Sequence, residues 1–347
     1  FIPAWWQITL MVYIAIVLMT SRSTARNWDE ALALGDALRQ LKDVFQHLER
    51  YGYHGAPGLR ALCAPFLEDT HRPSRYLARI NQVVAAMGIR GNPLLWFALN
   101  AVIPWDLFFA HRLNRTKAAM AERAPAWMNT WFELEALGSL ANLAYLNPGY
   151  TFPELLAVQK REGAAAMEVQ GLGHPLIPTQ ERVCNDFSVS RLGQVTIITG
   201  SNMAGKSVFL KTMGANLALA YAGGPVNATH LCALPFRLFA SMAIADSVTD
   251  GISYFYAEVR RLKVLLQTLE RDHDLPLLYC IDEIFRGTNN RERLAGSRAY
   301  VRALAGQHGV GFIASHDLAL AELADEVPQV VNYHFRDEVA GDRMAFD

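Results

Sequence analysis

The sequence predicts a helical first half followed by an α/β second half, a mostly parallel sheet with helices on both faces. Three observations carry this reading. Between Asn27 and Tyr150 apolar residues recur every three or four positions, the period of an amphipathic helix. Beyond Tyr150 they gather into short runs separated by helical stretches, the pattern of alternating strands and helices. Directly after one of those runs stands a glycine-punctuated octapeptide, Gly200-Ser201-Asn202-Met203-Ala204-Gly205-Lys206-Ser207.

Taken in order, the chain opens on Phe1 rather than Met, and we read it as a piece of a longer protein, truncated at its C-terminal end as well. Residues 1–21 are a candidate transmembrane helix. Phe1–Thr20 carries no charge and includes Trp5, Trp6, Leu10, Val12, Ile14, Ile16, Val17 and Leu18, and about 20 such residues cross a hydrocarbon core. Trp5 and Trp6 suit one interface. Arg22 and Arg26 follow the other end, which leaves the bulk of the chain in the cytoplasm, tethered to the inner face of the membrane. A buried amphipathic helix is the alternative, because Gln7 and Thr9 interrupt the run. Pro93–Ala110 is also apolar but is broken by Asn100, Pro104 and Asp106; it reads equally as a membrane element or a packed helix pair.

Residues 27–150 form the helical domain. Leu34, Leu38, Leu41, Phe45 and Leu48 make one stripe, and a Gly- and Pro-rich turn covers Tyr51–Gly58. Helices are expected at Ser74–Met87 and from Pro125 to about Leu146, the latter with Trp127, Trp131, Leu134 and Leu137 on a core-facing side. Residues 151–347 form the α/β domain, with strands expected at Val195–Thr199, Phe236–Met242, Leu277–Ile281, Val310–Ala314 and Val330–Phe335.

Composition narrows the function. Apolar residues make up 52% of the 347 and charged ones 19%, so the chain is not disordered. A net charge of −1 gives no global attraction to nucleic acid, and any DNA contact needs a local basic patch. Arg72, Arg75, Arg79 and Arg90 form one loose cluster, and Arg112, Arg115, Lys117 and Arg123 another. The 4 cysteines are scattered without a C-x-x-C pair, which suggests neither a zinc site nor a disulfide framework.

The octapeptide satisfies G-x-x-x-x-G-K-[ST], with an apolar β-branched run before it and a helix expected from Val208 to Ala220. Such a loop turns its amides inward, and the following helix N-terminus adds a positive field for phosphate. Lys206 then reaches the β- and γ-phosphates of a nucleotide and Ser207 holds Mg²⁺. Leu277–Ile281 ends in Asp282-Glu283. In phosphate-loop enzymes such an Asp holds Mg²⁺, and the adjacent Glu can deprotonate the attacking water. Ala314-Ser315-His316 follows another apolar run, and His316 at that strand end can sense the γ-phosphate.

Together these segments resemble the MutS mismatch-repair ATPases, which belong to the wider class built like ABC transporter motors. The resemblance covers His174 to about Phe335 and rests on Thr199–Ser207 with its Asn202-Met203 pair, Asp282-Glu283-Ile284, Arg286-Gly287-Thr288, His174-Pro175, Ala314-Ser315-His316 and Val331–Phe335. It implies an ATPase using ATP and Mg²⁺, with Gly200–Val208 and Val183 at the nucleotide. It also implies a dimer of two copies with composite ATP sites, in which Ser253 of Asp250–Glu258 reaches the other copy's γ-phosphate. The helical segment resembles that family's lever helices. Ala204, Val208 and Phe285 depart from the usual Gly, Thr and Gly, and Asn289-Asn290 from Ser-Thr. Arg182 and Val183 stand where relatives stack groups on adenine. The domain that presents a Phe-x-Glu wedge to mismatched DNA is missing; Phe66-Leu67-Glu68 matches only the bare triplet.

Two functions stay open. One is ATP hydrolysis coupled to mismatched or structured DNA. The other is a membrane-anchored ATP-driven switch that acts on a protein or lipid partner without DNA.

Overall fold

The computed structural model describes residues 5, 7–8, 11–13, 15, 33, 36, 41–156, 165–201, 204–242, 254–271, 273–285, 289–335, 337–340 and 343–346. Asn202, Met203, Ser253 and most of Phe1–Thr20 lie outside the described residues. The chain divides into two compact units, Phe1–Gly138 and Ser139–Asp347.

The first unit is helical. Residues 41–50 form a helix, followed by α1 (Pro57–Leu62), α2 (Ala64–Leu67), α3 (Pro73–Met87), α4 (Pro93–Val102) and the beginning of α5 (Trp105–Leu146). Each of α1 to α4 carries a proline in its first turn, where the missing N–H has no helical partner to lose. Leu41, Phe45 and Leu48 of the predicted stripe pack with Phe66, Tyr76, Leu77 and Trp127. Phe66 is fully buried there, so its ring fills the core and is not a groove-entering wedge. The Glu49 carboxylate accepts from the backbone N–H and hydroxyl of Ser74 at 2.8 and 2.6 Å, which anchors the start of α3.

Pro93–Ala110 resolves into two helices bent by 83° about Pro104. Its interrupting polar residues are buried and serve one another. Asp106 donates its N–H to Asn100 Oδ1 at 3.2 Å and accepts from Trp96 Nε1 at 2.9 Å. Among the described residues no single helix is long and apolar enough to cross a membrane; Leu94–Val102 with Trp105–Leu146 passes that test only as a bent pair. The helix expected to start at Pro125 instead runs unbroken from Trp105. Ala118-Ala119-Met120-Ala121 are strong helix formers and carry the helix through the proline. Of the expected core face, Trp127 is buried whereas Leu137 is 44% exposed.

The second unit contains β1 (Glu154–Leu155), β2 (Met167–Leu172), β3 (Asn185–Val189), β4 (Val195–Gly200), α6 (Lys206–Tyr221), β5 (His230–Ala233) and β6 (Arg237–Ser241). It continues with α7 (Tyr254–Glu270), β7 (Leu277–Asp282), α8 (Asn290–Leu304), β8 (Gly309–Ala314), α9 (Leu318–Ala321), α10 (Leu323–Glu326), β9 (Val330–Phe335), β10 (Asp337–Ala340) and β11 (Arg343–Phe346). The five predicted strands form one sheet, β6-β7-β8-β4-β9, parallel at every pairing. Unforeseen are a second, mixed sheet of order β1-β5-β2-β3 and the β10-β11 hairpin.

Side chains alternate across each parallel strand. Ile198, Leu278, Cys280, Val310 and Phe312 enter one core with α6 and the mixed sheet. Val195, Ile197, Tyr279, Ile281 and Ile313 enter another with α7 and α8. One face is therefore covered by a helix and a sheet, not by helices alone.

Tyr279 lies across Gly311 of the neighbouring strand, where an added Cβ would sit 2.1 Å from the ring. Gly311→Ala should lower unfolding stability by about 1–3 kcal/mol through overpacking. Gly214, inside α6 with open space around it, provides the contrast: Gly214→Ala should raise stability by about 0.5–1 kcal/mol. Urea titration of both variants checks the two signs.

Candidate active site

Parallel pairing brings three strand ends to one edge. Ile198 of β4 and Asp282 of β7 both pair with Ala314 of β8. The loops that follow therefore emerge together, at the edge where open α/β sheets take ligands.

The glycine loop leaves β4 at Gly200, whose φ is +147° and where a Cβ would lie 2.7 Å from the Phe335 carbonyl oxygen. It enters α6 through Gly205 at φ +86°. Both glycines are thus required by the backbone, which explains their fixed spacing. The Lys206 ammonium is buried and donates to the carbonyl oxygens of Gly200 and Ser201 at 2.7 and 2.6 Å. It also lies 3.3 Å from His316 Nδ1. The Ser207 hydroxyl donates to Asp282 Oδ2 at 2.9 Å, and His316 Nε2 stands 3.1 Å from Glu283 Oε1. A lysine can only donate. In the neutral imidazole, Nδ1 facing Lys206 is then the acceptor and Nε2–H donates to Glu283.

A cavity of about 610 Å³ opens over this edge, lined by Gly200, Ser201, Glu283, Arg293, His316 and His334 among others. Arg293 received no role from the sequence. It donates to Asp317 at 3.1 Å, and that bond, with the Asp317 and Glu283 charges, holds its guanidinium pKa above the ordinary value. Thr199 Oγ1 and His334 Nδ1 lie 3.0 Å apart on the cavity's β4–β9 side. His334 falls inside the Val331–Phe335 segment of the resemblance but received no role of its own; its place beside Thr199 follows from β9 pairing with β4.

A second cavity of about 210 Å³ is walled by His174, Ile177, Val183, Val208, Phe209 and Phe335 among others, with Ala204 and Gly205 at its border. Its size and apolar walls suit a planar ring. Burial, with Lys211 and Arg182 nearby, lowers the His174 pKa. Arg182 does not face this space as a stacking group. Its guanidinium donates to the Ile177 carbonyl at 2.8 and 3.0 Å and to Asn227 Oδ1 at 2.8 Å, and lies 5.8 Å from the Tyr150 ring.

Ser207 and Asp282 supply a hydroxyl and a carboxylate, the hard oxygen donors that Mg²⁺ takes alongside water and phosphate. The donor set therefore fits that ion. Among the described residues no group of three or more His, Cys, Asp and Glu could hold a metal by itself, and the four cysteines are free. Gly200, Ser201, Ala204–Val208, Asp282, Glu283 and His316 thus converge on one edge, with Val183 at the adjoining cavity.

Comparison with known proteins agrees with this architecture. Residues 196–347 match the MutS domain V family. The "DNA mismatch repair protein MutS 2" of Halobacterium salinarum is 30% identical over 250 residues, 71% of this chain and 27% of that protein. "DNA mismatch repair protein MutS" of Aquifex pyrophilus is 31% identical over 219 residues, 62% of this chain and 24% of that one. The "Endonuclease MutS2" of Thermus thermophilus is 31% identical over 175 residues, 50% and 23% of the respective chains. The chain spans about a quarter of the length of these relatives. Through an ATPase-type α/β domain built on β4, α6, β7 and β8, it belongs to the MutS family.

Proposed function

We propose that the chain binds Mg·ATP at Gly200–Ser207 and hydrolyses it, in a dimer of two copies whose cycle is coupled to DNA. The observation that carries this reading is the meeting of Lys206, the Ser207–Asp282 pair and the His316–Glu283 pair at one sheet edge. The triphosphate takes the Lys206 ammonium from the carbonyl oxygens of Gly200 and Ser201, while loop amides and the α6 N-terminus neutralise further charge. Ser207 and Asp282 would hold Mg²⁺, which when bound would supply neutralisation of phosphate charge. The water oxygen forms a bond to the γ-phosphorus as the bond to the β-phosphate bridging oxygen breaks. Glu283 takes the water proton, oriented by His316. The adenine ring lies in the cavity beside Val183 and Val208. The family resemblance gives Ser253 the other copy's γ-phosphate. DNA coupling rests on the named activities of the relatives, not on charge, since the chain's net charge is −1.

Lys206→Ala should lose nucleotide binding by calorimetry. Glu283→Gln should keep binding, lower turnover by about 10²–10⁴-fold and accumulate a dimer on sizing columns in ATP. Unchanged turnover in Glu283→Gln would remove the base assignment.

A second reading, a membrane-anchored switch without DNA, is favoured by one feature. Leu94, Phe97, Val102 and Phe108 of the bent helix pair are 58–85% exposed, with Arg112 and Arg115 exposed on the next turns of α5. ATPase assays with duplex DNA or with anionic vesicles separate the two. Stimulation by DNA that fades steeply with salt supports the first reading. Stimulation by vesicles, with co-flotation, supports the second.

A further inference from the structure

Asp282-Glu283 is followed by a backbone that side chains rarely adopt. Glu283 has φ +65° and Phe285 φ +58°. Such strain in a non-glycine residue persists only where surrounding contacts over-determine it, and here those contacts are specific. The Phe285 N–H donates to Glu258 Oε1 at 2.7 Å. Glu258 is only 3% exposed and lies near the start of α7. The Phe285 ring packs at 6.2 Å from Tyr300 and 6.3 Å from Phe255, centroid to centroid. Gly296 of α8 leaves it room, since a Cβ there would lie 3.0 Å from the ring. On the other side, the Glu283 N–H is fixed to the Ala314 carbonyl at 3.0 Å.

We infer that Glu258 is a positioning residue for Glu283, which deepens the ATP-hydrolysis reading and rests on it. The buried carboxyl group holds the left-handed turn after β7 through a hydrogen bond to its backbone. The turn in turn aims the Glu283 carboxylate at His316. A glycine at 285 reaches φ +58° unaided, whereas phenylalanine depends on the clamp. Dependence on Glu258 is thus a property of this chain's own sequence.

The test uses steady-state ATP hydrolysis, ATP calorimetry and amide hydrogen exchange on the intact chain. Glu258→Ala should lower kcat by about 10²-fold, the cost of a misplaced reacting group, while ATP affinity holds. Glu258→Gln, which keeps an acceptor oxygen, should recover most of that loss. In a Glu283→Gln background Glu258→Ala should cost nothing further, since residues acting as one unit are not additive. Phe285→Gly should soften the effect of Glu258→Ala. Multiplicative losses with Glu283→Gln, or affinity falling in step with kcat, overturn the inference. If the wild-type chain neither binds nor hydrolyses ATP, the proposed function fails and exchange decides the clamp. Faster exchange at the Phe285 amide in Glu258→Ala, with Cys280 still protected, upholds it; equal exchange overturns it.

Discussion

Register is the constraint on which the chemistry of the second unit depends. β7 and β4 are not neighbours; β8 lies between them and pairs with both in parallel. Asp282 comes within 2.9 Å of Ser207 only because each strand pairs with the same stretch of β8. A slip of one residue at either ladder would turn alternate side chains to the opposite face. Ile197 and Tyr279 would then leave one core for the other. The two apolar cores thus hold the polar edge in place, and the site gains its geometry from residues that never touch it.

Within that edge, burial of a charge sets the next condition. A buried ammonium needs oxygen partners, and Lys206 finds them in the glycine loop's own carbonyl groups. The loop is therefore self-satisfied, with the lysine aimed along it. In the proposed function an incoming phosphate takes the place of those carbonyl oxygens and need not order a lysine from solvent. His316 feels the change directly, since one ring nitrogen faces Lys206 and the other Glu283. Withdrawal of the lysine leaves Nδ1 free to accept elsewhere. In that reading the state of the glycine loop reaches the carboxylate through a single imidazole.

The sequence makes the parallel sheet legible because its central strands β4, β7 and β8 are buried on both faces and read as unbroken apolar runs. Leu277–Ile281 and Val310–Ala314 are of this kind. The mixed sheet is harder to see. β2 alternates buried Met167 and Val169 with exposed Glu168 and Gln170, a period-two signal, but over so few residues it competes with helix. β3 and β5 are shorter still. The motif residues were legible because their spacing is local. Arg293, His334 and Glu258 were not, because each gains its place through pairing or packing across long separations; Glu258 and Phe285 are 27 residues apart. Pro125 misled for a local reason, since a proline that reads as a helix start lies within a longer helix held by its alanine-rich flank.

The departures from the family's usual residues sort by what surrounds them. Ala204 is buried beneath the loop, its Cβ in ordinary contact with where a Gly200 side chain would begin, so its methyl fills space the loop already encloses. Val208 is 43% exposed and lies on the wall of the smaller cavity, where it exchanges a hydroxyl for a methyl and makes that wall more apolar. Phe285 alone imposes a backbone strain, and it alone is matched by a set of compensations: the Glu258 carboxylate, the Tyr300 and Phe255 rings, and the absent side chain of Gly296. A large aromatic in a left-handed turn could not persist on dispersion contacts that any neighbour supplies. It requires a partner for its amide and a gap for its ring at the same time. That both exist beside the candidate base, on α7 and α8 of the helical face of the sheet, is the strongest sign that this divergent turn is built to hold one shape.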